Sequence, residues 1–223
     1  MNIEQMLKYR ENRDSRLPHR PFVTFFDVFK ACEKAASEII NKNDVKHQEL
    51  LERYVVIGTV TAIEVYFKDV LDGIFRLCEP VFYESKIKHI HSNKYDINDL
   101  IKIEKNGLSA TELVVSSQSF QNAEVIDKVF SKFIDKSFWN TVLEQKIRRE
   151  SNPESIVGWD SIDFKGLKNT FKTRHELVHD PAKGAFLTAE VHKDLWRAAH
   201  MVWGADVILM SIIANNALQP ISR

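Results

Sequence analysis

The segment VVIGTVTAIEVYFKDVLDGIF, Val55 to Phe75, decides the fold. Within the longer stretch from Glu49 to about Leu77, apolar residues recur at three- and four-residue steps: Ile57, Val60, Ile63 beside Glu64, Phe67, Val70/Leu71 and Ile74. That spacing lines one face of an α-helix, and Pro80 ends it. Its most apolar part, Tyr54 to Phe67, falls short of the roughly 20 apolar residues a membrane span needs and carries Glu64 in its interior, so it reads as a buried core helix. The same holds for Ala198 to Ala214 with Asp206 inside it.

Working outward, the helical period repeats from Phe22 to about Ile40 through Phe25/Phe26, Phe29, Cys32, Ala36 and Ile39. Residues 119 to 149 carry it again through Val125/Ile126, Val129/Phe130, Phe133, Phe138 and Val142, with a bend expected near Lys136 and Ser137. Ser161 to His179 reads as a helix stopped by Pro181 and Gly184, after which Thr188 caps a last helix running to about Leu218. Residues 80 to 117 are polar and mixed, and a capping box at Ser109 and Glu112 marks one of one or two short helices there. Residues 1 to 21 hold five basic residues (Lys8, Arg10, Arg13, Arg16, Arg20) against three acidic ones and contain Pro18 and Pro21, the pattern of a solvated basic arm. With seven glycines, six prolines, no alternating strand-length runs and no internal repeat, the expected architecture is all-α. It is an antiparallel helical bundle over 22 to 218, a single domain with an inserted, partly helical segment at about 80 to 117.

Composition excludes several classes. Apolar residues make up 44% and charged residues 28%, so the chain is neither disordered nor low-complexity. Lys plus Arg (31) balances Asp plus Glu (31), so any nucleic-acid partner must be read from local patches. Cys32 and Cys78 are too few for a disulfide framework or a four-cysteine zinc site. MNIEQMLKYRENRDSR lacks the apolar core of an export signal. A cytoplasmic setting with no membrane association is the expectation.

The chemistry concentrates in FKTRHELVHDPAKG, Phe171 to Gly184, where two motifs overlap. His175, Glu176, Leu177, Val178 and His179 spell HExxH, which on a helix places both imidazoles about 40° apart, near enough to share zinc. Arg174 and His179 spell Arg-x4-His, pairing a fixed cation with a titratable imidazole, suited to holding a phosphate while moving protons. A shuffled chain of this composition would hold HExxH about 0.02 times and Arg-x4-6-His about once, so rarity favours zinc. Context reverses that order. A zinc-protease helix needs a third protein ligand, and Pro181 follows two residues after His179, Ala182 stands where the extended motif has glycine, and Asp180, Glu190 and His192 sit at no familiar spacing.

RHELVHD near a helix end, followed by a Pro/Gly turn and one more long apolar helix, resembles the HEPN superfamily of small all-α proteins. Its hallmark is Arg-x4-6-His with a polar residue directly after the arginine, and His175 occupies that position. VVIGTVTAIEVYFKDVLDGIF, with Glu64 inside it, resembles the corresponding helix of the RiboL-PSP-type HEPN groups, and SFQNAEVIDKVF adds a weaker likeness. The resemblance covers most of residues 22 to 215 and implies a helical bundle of HEPN type, with a metal-independent endoribonuclease site assembled at a homodimer interface. It links such proteins to toxin–antitoxin systems and antiphage defence, with an antitoxin or regulatory protein as a further partner.

Metal-free RNA cleavage needs a base, an acid and positive charge around the phosphorane-like transition state. Five residues at about 100° each turn His179 about 140° from Arg174, so one helix offers too little and a twofold dimer would bring two of each to one phosphate. In that scheme His179 is the general base or acid, Arg174 binds the scissile phosphate and His175 supplements them, with no metal and no cofactor. Glu64 is a candidate supporting carboxylate, paired to an arginine or histidine. Lys165, Lys168 and Lys172 form a candidate RNA-binding strip, with Lys146, Arg148 and Arg149 clustered before it. Trp196, His200 and Trp203 share a face of the last helix, where core packing is the expected role. Two other readings stand beside the ribonuclease: a noncatalytic HEPN module that binds RNA or a partner, and an HExxH zinc hydrolase.

Overall fold

A computed structural model describes residues 3–16, 20–41, 47–90, 95–149, 152–180 and 187–218. In chain order the helices are α1 (Ile3–Arg16), α2 (Pro21–Asn41), α3 (Gln48–Leu77), α4 (Pro80–Ile90), α5 (Ile97–Lys105), α6 (Ala110–Ser117), α7 (Ala123–Ile134) and α8 (Phe138–Glu144). A hairpin of β1 (Lys146–Arg149) and β2 (Asn152–Gly158) follows, then α9 (Ser161–His179) and α10 (Ala189–Asn216). The architecture is the expected all-α bundle.

Four long helices form its frame, with α2 against α3 and α9 against α10 as the most extensive pairings. On α3, Ile63, Phe67, Val70, Leu71 and Ile74 are buried, as the three- and four-residue spacing requires. Phe67 sits where the frame meets the middle of the chain: its ring centroid lies 5.9 Å from Phe120, 5.4 Å from Phe130 and 6.1 Å from Trp139. Where α9 crosses α10, a Cβ on Gly166 would lie 2.5 Å from Cβ of Arg197, so the crossing is built around a missing side chain. Gly204 has the same role on α10, where a Cβ would stand 2.7 Å from both Trp159 and Val142. By length and composition α10 meets the minimum for a membrane span, yet most of its apolar window is buried in the bundle, and Asp194 and Asp206 are buried within it.

The boundaries follow local chemistry. The expected break near Lys136 and Ser137 occurs, with Asp135 left-handed (φ 56°) after α7 and the Ser137 hydroxyl capping α8. Thr188 caps α10 and Ser109 with Glu112 forms the anticipated capping box on α6. Pro80 follows α3 and is also the first residue of α4, the position where a missing N–H costs nothing. Pro18, Pro181 and Gly184 lie outside the described residues.

Three regions differ from the sequence expectation. The segment 80 to 117 holds three short helices rather than one or two. KIRR and NPESIVG form an antiparallel hairpin, with Ile147 opposite Val157 and both packed against the core; four alternating residues are too short a run to register as a strand. Residues 3–16, expected as part of a solvated arm, form a docked helix. Its Arg10 makes a two-pronged pair with Glu112 (2.7 and 2.8 Å), Arg13 reaches Asp72 (3.0 Å) and Arg16 grips Asp69 through two 2.7 Å bonds. Asp69 and Asp72 are buried in α3, so these arginines neutralise carboxylates that would be costly alone.

Candidate functional site

The motif occupies the last turn and a half of α9. Asp160 opens the helix in a capping box with Asp163, accepting from the N–H groups of Ile162 and Asp163. Gly166, Leu167, Thr170, Phe171 and Leu177 turn inward. Lys165, Lys168, Lys172, His175 and His179 are all exposed, and their 3-4-3-4 spacing sets them in one seam about 21 Å long on the opposite face. Lys168 rests 4.9 Å from the centre of the Phe164 ring, and Lys172 stands 3.9 Å from Glu176.

At the end of this seam the His175 and His179 rings are 4.3 Å apart, centre to centre. Arg174, half-buried, lies on the side of the helix nearer the core. Among the described residues, Arg174 and the two histidines make no hydrogen bond or ion pair. Arg174 and His179 are therefore not brought together within one chain. No group of three or more His, Cys, Asp or Glu side chains able to hold a metal exists among the described residues. His192 turns away, 3.8 Å from Glu33.

The end of α9 and the residue before the α10 cap are both held from α3. Arg53 donates to the carbonyl of Leu177 at 3.0 Å, and the buried Glu52 accepts from the N–H of Leu187 at 3.2 Å. Adjacent residues on one helix thus grip both sides of the α9–α10 connection. Sequence reasoning missed both; a carboxylate and a guanidinium side by side at the start of the core helix were the available signal.

Glu64 has partners other than the motif. It accepts a hydrogen bond from the Gln121 side chain and pairs with Lys68 at 2.9 Å. Gln121 in turn borders a cleft of about 370 Å³ lined also by Asn122, Glu124, Lys168, Phe171, Lys172 and His175. The carboxylate thus supports the wall of a cleft that touches the motif. Lys146 and Arg148 fall on β1, ahead of α9 as expected, and the side chain of Arg149 lies outside the described residues. Trp196 is 46% exposed rather than core, and with Phe22, Phe26, His200 and Trp203 it lines a separate apolar cavity of about 580 Å³.

Comparison with known families matches the RiboL-PSP-HEPN model over residues 27–199. The chain belongs to the RiboL-PSP-HEPN family. The matched span runs from α2 through the motif into α10, so the HEPN fold expected from the sequence is the fold observed. HEPN domains serve as ribonucleases or RNA-binding modules, and they often dimerise. No curated protein and no solved structure matches this chain.

Proposed function

We propose that this HEPN domain is a metal-independent endoribonuclease for single-stranded RNA, acting through a composite site at a homodimer interface. The observation that carries the reading is the state of the motif: His175 and His179 close an exposed seam of lysines beside the half-buried Arg174, and none of the three has a hydrogen-bond or ion-pair partner among the described residues. Charged groups held for structure are paired, as Arg13 and Arg16 are; groups without partners are available to a ligand.

In a dimer, His179 of one copy takes the proton from the ribose 2′-hydroxyl, which attacks the adjacent phosphorus. An imidazolium from the other copy protonates the departing 5′-oxygen, and the Arg174 guanidinium neutralises charge on the equatorial oxygens. The products are a 2′,3′-cyclic phosphate and a free 5′-hydroxyl. The family analogy extends this to a toxin or antiphage effector in the cytoplasm, restrained by an antitoxin or regulatory protein.

The test is incubation of the purified protein with total RNA and a labelled single-stranded oligonucleotide in excess chelator, with analysis of the fragment ends. Cleavage leaving cyclic phosphate supports the reading. An intact substrate from a pure dimer leaves the RNA-binding module, and cleavage only on adding zinc revives HExxH.

A further inference from the structure

The cleft between α9 and the loop before α7 is bordered by two amides whose orientations are fixed by their neighbours. The side-chain N–H of Gln121 donates to Glu64, and a carboxylate accepts only, so the Gln121 carbonyl oxygen Oε1 is the atom left over. The Oδ1 of Asn122 accepts from the N–H of Glu124 at 2.7 Å as the cap of α7, which leaves the Nδ2 donors over. Among the described residues neither Gln121 Oε1 nor Asn122 Nδ2 has a partner. The cleft also holds Phe171 as an aromatic wall, Lys168 and Lys172 as cations, and His175 of the motif. Its volume, about 370 Å³, suits one nucleotide.

We propose that this cleft binds the base of one unpaired RNA nucleotide next to the cut, and that Gln121 and Asn122 separate amino bases from keto bases. The inference rests on the ribonuclease reading for its place beside the scissile phosphate. The chemistry of discrimination is order. Along the Watson–Crick edge, adenine and cytosine present a donor followed by an acceptor, whereas guanine and uracil present an acceptor followed by a donor. For a base held at one face by its backbone, one fixed acceptor beside one fixed donor matches one order and opposes the other, and uracil, whose O2 follows N3–H, meets the opposed order only by shifting one position along its edge. Glu64 acts as a positioning residue, since it stops the Gln121 amide from turning over to suit the wrong base. Lys168 and Lys172 hold the flanking phosphates.

The test uses 2′-O-methyl oligo-C and oligo-U 12-mers, which are the same size, differ at the reading edge and have no 2′-hydroxyl to attack. Fluorescence anisotropy on the full chain should separate the two by about tenfold in affinity, the scale of one base-edge hydrogen-bond pair. Asn122→Asp keeps the helix cap but exchanges the donor for an acceptor, and Glu64→Gln frees the Gln121 amide; each should bring the ratio within about twofold or invert it. Equal affinities in the wild type, a ratio unchanged in both variants, or no binding of either oligomer overturns the proposal. A ratio that collapses as expected in a protein that leaves the 2′-hydroxyl oligomers intact retains the base site and rejects the ribonuclease. Cleavage without any ratio does the reverse.

Discussion

Arg10, Arg13 and Arg16 on α1 meet Glu112, Asp72 and Asp69 at 2.7 to 3.0 Å, whereas Arg174, toward the other end of α3, meets no carboxylate among the described residues. The same guanidinium chemistry thus has two outcomes in one molecule. In the α1 region each of these three arginines is matched to an acid, two of the acids buried in the core helix, and the interaction holds a helix in place. In the motif region a cation and two imidazoles are left without hydrogen-bond or ion-pair partners among the described residues, beside three exposed lysines, a surface that suits an anion. Pairing, more than residue type, separates the structural arginines from the one proposed to bind RNA.

The sharpest way to break this comparison is to delete both kinds. Arg174→Ala and His179→Ala should each lower RNA cleavage by at least about a hundredfold. Their thermal midpoints should stay within about 2 °C of wild type, because neither group makes a hydrogen bond or ion pair among the described residues. Arg13→Ala should do the opposite, lowering urea-unfolding stability by on the order of 3 kcal/mol by leaving the buried Asp72 with Arg76 alone, and leaving the chemistry at the motif unchanged. If Arg174→Ala destabilises as much as Arg13→Ala, the division between the two regions is wrong.

Replacing Lys165, Lys168 and Lys172 together by alanine should weaken oligonucleotide binding and make the slope of log K against log salt shallower by about 2, since each phosphate contact on a single strand contributes about 0.7. An unchanged slope would return the seam to an ordinary solvated face. The smallest effect is set by Glu112. Burial by itself would raise its carboxyl, but the hydrogen bonds from Arg10 and Ser109 outweigh burial and bring it down to about 2 from the ordinary 4.5. A carboxyl depressed in the folded state adds stability above its unfolded value and loses it as pH falls toward the folded one. The gap in urea midpoint between wild type and Glu112→Gln should therefore be full at neutral pH and close between pH 4.5 and about 2.

The sequence made the four frame helices legible because their information is local: an apolar face at helical spacing must be buried wherever the chain goes. It also made Arg174, His175 and His179 legible, since the motif lies in one helix. What it concealed depends on partners far along the chain. α1 buries only Met6, so periodicity gives little sign of docking, and its hold comes from acids 53 to 102 residues away. The visible hint was Asp69 and Asp72, two carboxylates inside an apolar helix that needed cations from somewhere. Glu64 raised the same question and found its answer in Lys68 and Gln121 rather than in the motif. Gln121 and Asn122 carry no motif at all; only the fold shows that they face the lysine seam across a cleft.

The most direct test of the composite site is the cleavage rate per chain as a function of protein concentration in excess chelator, measured beside sedimentation equilibrium. Because Arg174 and His179 do not meet within one chain, the rate per chain should rise with the dimer fraction and level off when dimerisation is complete. A rate per chain that stays constant down to concentrations where the protein sediments as a monomer, or no cleavage by the fully formed dimer, would contradict it.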